Sequence, residues 1–298
     1  MKFVSAIGLG TVLPLVFSTA TLAAVEPNIE IRPQEIIQLA QGQSYESLVN
    51  TGVDQLKAKD YGTALATFET AIAMNPNQFQ GWLGKGEALY GLGRYQEAET
   101  AYRRVTEIKP DLAYAWVWLG NALDVTNRLE DALAAYQQAM TIDPSYARAY
   151  YHRGIALNNA KRYADALTDF QQATELKPDM TMAWFMAGRV LIQLERPEEA
   201  FTALERSVEL APNFARAWFF RGNSLAWLER YEEAVASYDR AIALDAQSEN
   251  PWFNKALALA NLGRYGQAAE AMDQVLAINP QNARAQELRS EWKELAQR

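Results

Sequence analysis

The chain has 298 residues, of which 49% are hydrophobic, and its formal net charge is −8 at pH 7. It contains no cysteine and one histidine, which excludes disulfides, thiol nucleophiles and metal sites built from cysteines or from histidine pairs. The acidic balance argues against nucleic acid or an anionic membrane surface as the main partner, because both are held chiefly through lysine and arginine.

Residues 1–24 have the features of a secretory signal peptide. Lys2 precedes an apolar run that ends at Phe17, and small residues follow as far as Ala24. The run is shorter than the ~18 residues that a spanning helix needs, so cleavage is favoured over an uncleaved membrane anchor. These features predict an exported protein, periplasmic or secreted, with no stable membrane insertion after cleavage.

A linker or a short N-terminal helix is predicted for residues 25–44. Pro27 and Pro33 interrupt this stretch, and a short apolar group follows at 36–39. We expect any helix here to cover the first of the units that follow.

A pattern with a period of 34 residues occupies residues 45–282 and defines seven repeats. One column is always alanine and consists of Ala64, Ala98, Ala132, Ala166, Ala200, Ala234 and Ala268. A second column is glycine in six repeats, at Gly52, Gly86, Gly120, Gly154, Gly188 and Gly222. A large aromatic residue stands one turn before the later glycines, at Trp82, Trp116, Tyr150, Trp184, Trp218 and Trp252. A fixed period of this length indicates a solenoid, in which each unit buries its apolar face against its neighbours.

The columns predict how two helices pack in each repeat. A glycine inside a helix costs ~1 kcal/mol relative to alanine, so we expect the second helix to approach closely there, through the alanine column. The aromatic column is expected to fill the adjacent space as core. Gly93, Asn127 and Gly263 suit left-handed caps between the helices. Prolines end six of the repeats; Ala246 interrupts this column, and Pro251 is expected to take over its role.

The combination of Trp218, Gly222, Ala234 and Tyr238 with Pro212 of the preceding turn resembles the tetratricopeptide repeat (TPR) family. The resemblance covers residues 45–282 and implies antiparallel helix pairs stacked into a right-handed superhelix. It also implies that the first helix of each pair lines a concave groove.

Residues 283–298 are predicted to form a C-terminal capping helix. Ala285, Leu288, Trp292 and Leu295 make one apolar stripe, and charged residues cover the rest. The predicted fold is therefore an all-α solenoid of seven helix-turn-helix repeats with a cap at its C-terminal end.

No catalytic site, metal site or cofactor is predicted. His152 is the only histidine, and we interpret it as a polar aromatic member of the groove rather than a catalytic base. No phosphate-binding loop has the required spacing, and the segments outside the repeats are too short to form a catalytic domain.

A second apolar face on the first helices is the candidate ligand-binding site. With Trp116 as zero and ~100° per residue, Trp118 and Asn121 lie between ~140° and ~200°, away from the partner helix. Helices that are apolar on both sides are expected to be covered on both sides. The candidate groove residues are Trp118, Asn121, Arg148, His152, Met186, Arg189, Arg216, Phe220, Asn223 and Trp227. The edge residues Tyr151, Phe185, Phe219 and Phe253 are interpreted as packing against the adjacent repeat.

Charge gives the groove a polarity, with Glu87 and Asp124 in early repeats and Arg148, Arg189 and Arg216 in later ones. Three arginines on one face favour a ligand with acidic or carboxylate groups, the alternative being solvated charges paired with nearby acids. The far face has no lysine in the third to seventh repeats, so the lysine-containing carboxylate clamp of chaperone-binding family members is not expected.

These features predict an exported, non-enzymatic scaffold that holds a peptide or protein segment. Two alternatives are an assembly factor for a cell-envelope or photosynthetic membrane complex, and a substrate-recruiting subunit of a larger enzyme. Self-association through open repeat faces is a third.

Overall fold

The computed structural model describes residues 44–298, and this part of the chain forms fifteen α-helices and no strand. The helices are α1 Tyr45–Lys57, α2 Tyr61–Met74, α3 Phe79–Gly91, α4 Tyr95–Ile108, α5 Ala113–Val125, α6 Leu129–Ile142, α7 Ala147–Asn159, α8 Tyr163–Leu176, α9 Thr181–Gln193, α10 Pro197–Leu210, α11 Ala215–Trp227, α12 Tyr231–Leu244, α13 Glu249–Asn261, α14 Tyr265–Ile278 and α15 Ala283–Leu295. None of these helices is long and apolar enough to cross a membrane. The predicted signal peptide and residues 25–43 of the predicted linker lie outside the described residues.

Two compact units, residues 44–156 and 157–298, make up the described part. The first holds α1 to α6 and most of α7, and the second holds the end of α7 and α8 to α15. Consecutive helices pack on one another from α1 to α6 in the first unit and from α8 to α15 in the second, and turns of three or four residues make these neighbours antiparallel. The predicted all-α solenoid of helix pairs is confirmed.

The glycine column marks where the two helices of a pair come closest, but the partner is not the alanine column. A Cβ built on Gly120 would lie 2.5 Å from the ring of Tyr136, and one on Gly188 would lie 2.5 Å from Cγ of Leu204. The prediction was wrong on this point, because a large second-helix side chain occupies the space that glycine leaves free. The alanines are nevertheless fully buried, as at Ala132.

The first-helix aromatic column has a polar role that the pattern did not show. The indole Nε1 of Trp116 donates to the carbonyl oxygen of Pro110 at 2.9 Å, and that of Trp218 donates to the carbonyl of Pro212 at 2.9 Å. In α15 a glutamine replaces the tryptophan, and Nε2 of Gln286 still bonds a proline carbonyl at 2.8 Å. Side chains at this position therefore tie the first helices after α1, and the capping helix, to the turn before each of them.

A left-handed residue separates the two helices of every repeat. Gly93, Asn127 and Gly263 have φ of 75°, 60° and 73°, which confirms the three predicted caps. The same position is left-handed in the other four repeats, at Lys59, Lys161, Glu195 and Glu229. A side chain in this conformation costs ~1–2 kcal/mol, so the turn geometry overrides residue preference there.

The turn that lacks its proline keeps the same geometry, and Pro251 does not supply it. Asp245, before Ala246, has φ −148° and ψ 86°, close to the −134° and 92° of Asp143, which precedes Pro144. The Asp245 carboxylate accepts a hydrogen bond from the backbone N–H of Gln247 at 3.3 Å, as the Asp143 carboxylate does from that of Ser145 at 2.9 Å beside Pro144. This bond therefore supports the turn with or without a proline. Pro251 instead lies buried in the first turn of α13, so the expectation for it was wrong.

Helix α15 buries its predicted stripe. Ala285, Leu288 and Trp292 are at most 2% exposed and pack in one cluster with residues of α14.

Gly188→Leu should destabilise the protein by ~1–3 kcal/mol or more, because the new side chain meets Leu204 between closely packed helices. The matched control is Gly266→Leu, since a Cβ there has its nearest neighbour, the Ala296 Cβ, at 4.0 Å. Thermal melting compares the two variants, and hydrogen exchange should place the damage in α9 and α10. Equal losses of melting temperature would contradict the assigned packing.

Glu229→Gly should raise stability by ~0.5–1 kcal/mol, because glycine adopts a positive φ without steric cost. Glu232→Gly, three residues later in the first turn of α12, should lower stability, because glycine weakens a helix. Melting temperatures of the two variants test this, and a loss of equal size in both would show that residue 229 is not strained.

Candidate ligand-binding face

The first helices of the 157–298 unit lie side by side, so their outer surfaces form one face. Helix α11 contacts both α9 and α13. We call this surface the arginine face; it consists of Phe185, Met186, Arg189, Arg216, Phe220, Asn223, Trp227 and Asn254. The second helices pack on the opposite side of the same helices, where Gly188 and Gly222 lie.

Two arginines and two phenylalanines form the centre of the arginine face. The guanidinium carbon of Arg189 lies 5.7 Å from the ring centre of Phe185 and 5.3 Å from that of Phe220. The guanidinium carbon of Arg216 lies 5.4 Å from the Phe185 ring, and the two phenyl rings meet edge to face at 5.7 Å. Cations over ring faces are stabilised by the ring quadrupole, so aromatic residues partly replace the acid that each arginine lacks.

The two arginines have no carboxylate partner among the described residues, unlike many arginines of the second helices. Arg196 and Arg230, for example, bind Glu199 and Glu233 at 2.6 and 2.7 Å. Burial and, second, the charge of Arg216 lower the pKa of Arg189. The arrangement therefore holds two like charges close together without an anion between them, which suits a bound anionic group.

The rest of the arginine face combines an exposed indole with a small amide network. Trp227, at the end of α11, is 40% exposed. The amide oxygen of Asn223 accepts from the Tyr238 hydroxyl at 3.0 Å and from Nδ2 of Asn254 at 2.8 Å. An exposed tryptophan beside hydrogen-bonding amides offers both apolar contact and directional polar contact to a ligand.

The candidate residues of the 44–156 unit differ in accessibility. Trp118 is half-buried among tyrosine rings, and Arg148 is exposed. Asn121 is 8% exposed, and its amide oxygen accepts from the Tyr136 hydroxyl at 2.8 Å. Asn121 therefore lies beneath the surface and supports it.

Met186 on the arginine face is likewise 4% exposed, and its sulfur accepts a weak bond from Arg189 at 3.7 Å. Phe185, which the pattern placed with the core, is fully buried yet is the ring that both arginines contact. The sequence signal for this role was its place among the edge residues, one position before the groove candidate Met186.

His152 is held neutral. Burial and, second, the charge of Arg148 lower its pKa to about 4. Its ring meets that of Tyr151 edge to face at 5.3 Å. No group of three or more acidic, histidine or cysteine residues among the described ones is placed to hold a metal ion.

These features define a class of protein, the helical-repeat proteins whose first helices present an aromatic and charged face. A tetratricopeptide repeat model matches residues 49–113, 151–213 and 185–249. A model described as TPR repeat matches residues 126–160, and a further tetratricopeptide repeat model matches residues 228–291. The chain belongs to the tetratricopeptide repeat family.

Solved structures with similar folds agree. YrrB, described as a TPR protein with an unusual peptide-binding site, is 28% identical with a TM-score of 0.60, over 64% of this chain and 99% of that one. The Pseudomonas aeruginosa pilF protein is 22% identical with a TM-score of 0.61, over 72% and 97% of the two chains. The C-terminal part of a TPR repeat-containing protein from Cytophaga hutchinsonii is 16% identical with a TM-score of 0.66, over 80% and 98%. A search of curated proteins finds no match.

The imidazole of His152 should remain neutral through pH 5, because its folded pKa is about 4. An unfolded histidine has a pKa of about 6.5, so between these two values the unfolded chain binds a proton that the folded chain does not. The stability due to neutral His152 is therefore fully present above about pH 6.5 and is lost as the pH falls toward 4.

NMR titration of the single imidazole measures this pKa directly. His152→Phe should remove that part of the pH dependence of melting. A midpoint near that of a free histidine would show that the side chain is solvated.

Proposed function

We propose that the protein is a non-enzymatic scaffold that holds a peptide or protein segment on the outer faces of its first helices. The arginine face is proposed to take a segment that carries carboxylate groups. Membership of the tetratricopeptide repeat family supports the scaffold role, and the likeness to YrrB, described as having a peptide-binding site, supports a peptide ligand.

One observation carries the choice of ligand chemistry: Arg189 and Arg216 are adjacent, lack acidic partners among the described residues and rest on phenyl rings. A carboxylate between them would offset the repulsion of the two guanidinium groups and accept directed hydrogen bonds from both. The rings of Phe185 and Phe220 fix the positions of these donors, so part of the ordering cost of binding is already met.

We further propose that the protein acts outside the cytoplasm, on the strength of the N-terminal sequence. Mass spectrometry of the protein isolated from its own cells tests this. A mature N-terminus near Val25 agrees with export, and an intact N-terminal Met in a cytoplasmic fraction contradicts it.

Replacing Phe220 and Trp227 together with alanine should weaken partner binding strongly, because aromatic anchors can each contribute ~2 kcal/mol or more to an interface. Stability should fall less than in Trp218→Ala, a change of ~3–5 kcal/mol, since the Trp218 indole is bonded to the Pro212 carbonyl and packs at the turn. Partner capture and melting temperature are measured on the same proteins. If the double variant melts as early as Trp218→Ala, these rings belong to the core.

Arg189→Glu should reduce affinity for an acidic peptide by roughly tenfold or more, because a charged hydrogen bond is lost and a repulsion is gained. The loss should shrink at high salt, since the contact is partly exposed to solvent. Arg206→Glu is the control, because Arg206 pairs with Glu209 on the surface of α10, away from the arginine face.

Binding is measured by fluorescence anisotropy on an array of acidic, neutral and basic peptides. The assignment of the arginine face is wrong if both charge reversals have the same effect, or if basic peptides bind as well as acidic ones.

A further inference from the structure

In the 44–156 unit Trp118 of α5 lies among three tyrosine rings, and the four rings come from three helices. Its ring centre lies 5.2 Å from that of Tyr90 and 6.1 Å from that of Tyr114, both edge to face. The Tyr102 ring of α4 stacks beside it at 6.1 Å. We call Tyr90, Tyr102, Tyr114 and Trp118 the aromatic cluster.

Two carboxylates on the helices that carry the aromatic cluster have no cationic partner among the described residues. Glu87 of α3 accepts a hydrogen bond from the Tyr114 hydroxyl at 2.6 Å. Burial raises the pKa of Glu87 despite this bond, and burial raises the pKa of Asp124. Asp124 lies on α5, the helix that carries Tyr114 and Trp118, and its charge is one of the causes that, after burial, raise the pKa of Tyr90 to about 12. Neither acid forms an ion pair with any described residue.

The Tyr102 hydroxyl is an unsatisfied polar group that points toward the same place. Tyr102 is fully buried, and its hydroxyl has no hydrogen-bond partner. A Cβ built on Gly86 would lie 2.9 Å from Cζ of Tyr102, so the phenol end of this ring packs beside the residue that precedes Glu87. In later repeats the equivalent tyrosine hydroxyls, those of Tyr136 and Tyr238, do have an asparagine acceptor.

Glu87 occupies the position that asparagine has in those repeats, at Asn121 and Asn223, but it accepts a hydrogen bond from Tyr114 instead. The substitution places a negative charge in a partly buried site where a neutral amide would have satisfied the tyrosine. A buried hydroxyl without a partner costs free energy, and so does a desolvated carboxylate without a cation. Packing of the helices requires neither the unpaired hydroxyl nor the unpaired carboxylate.

Another partly buried acid of this unit shows the usual arrangement. The side chain of Glu99 is 12% exposed, and it binds both Arg103 and Arg128 at 2.8 Å. Glu87 and Asp124 differ from it because neither forms an ion pair with an arginine or lysine of the described residues.

We propose that the aromatic cluster, with Glu87 and Asp124, is a binding site for an organic cation, the side chain of a lysine or arginine in a bound peptide. Tyrosine and tryptophan faces attract such cations, most strongly where water is excluded. The carboxylates supply the opposite charge, and Trp118, Tyr114 and Asp124 are half-buried, so the site opens to the surface. This site is in a different unit from the arginine face and does not depend on the carboxylate ligand proposed for it.

The probe is the peptide acetyl-Ala-Lys-Ala-amide, whose blocked termini leave the lysine as its only charge. The same peptide with norleucine in place of lysine is the neutral control. The full chain is labelled with 5-fluorotryptophan, and Trp118→Phe identifies the Trp118 fluorine signal. The lysine peptide should shift this signal in a saturable way and leave that of Trp227 unmoved. The norleucine peptide should not shift it. Equal shifts with both peptides, or no shift with the lysine peptide, overturn the proposal.

Glu87→Gln and Asp124→Asn should each weaken binding of the lysine peptide by about tenfold, because each removes one of the two carboxylates of the proposed site. Glu107→Gln, which removes an exposed surface acid paired with Arg104, should leave binding within about twofold. Melting temperatures confirm that the variants are folded. The proposal is overturned if Glu87→Gln and Asp124→Asn both bind the lysine peptide as tightly as the parent protein. It is also overturned if Glu107→Gln loses as much affinity as they do. Arg189→Glu should leave this binding intact, which separates a failure here from a failure of the arginine face.

Discussion

The contact between a first-helix glycine and a large second-helix side chain shapes the helix pair in five of the repeats, at Gly52, Gly86, Gly120, Gly188 and Gly222. At Gly120 and Gly222 a tyrosine ring lies where a Cβ would be, so the two helices pack at a distance that no other residue allows without movement. Because this contact uses one side of the first helix, the opposite side is left to face other first helices and solvent. The ligand faces proposed for both units follow from that division.

The two candidate faces differ from the second helices in how their charged side chains are paired. Second helices begin with arginine and acid pairs such as Arg230 and Glu233, which satisfy each other and contribute little to stability because they are exposed. On the first helices the charges are different. Arg189 and Arg216 rest on rings, Glu87 bonds a tyrosine hydroxyl, Asp124 lies on the helix of Trp118, and none of the four forms an ion pair in the described part of the chain. A ligand that brings the missing charges would be recognised by both its shape and its sign.

Much of the fold could be predicted because the period, the alanine column and the left-handed positions Asn127 and Gly263 each reflect a simple backbone or packing requirement. The pattern failed where two residues can meet the same requirement. The turn at Asp245 keeps its geometry without a proline, and large second-helix side chains rather than alanines fill the space beside the glycines.

The candidate face was predicted less completely, because the angular position of a residue on a helix does not tell how deeply its side chain is buried. Asn121 and Met186 share the face by angle but lie beneath its surface, whereas Phe185 was assigned to the core and proves to contact both arginines. The unpaired state of Tyr102 depends on which of two hydroxyls Glu87 bonds, and no sequence pattern specifies that.

The most direct test of the account is hydrogen exchange of the protein with and without a captured peptide partner. A ligand on the outer faces of the first helices should slow exchange in first helices, including α9 and α11, and leave the second helices α10 and α12 largely unchanged. Protection confined to the second helices or to the turns between repeats would contradict the assignment of the ligand faces.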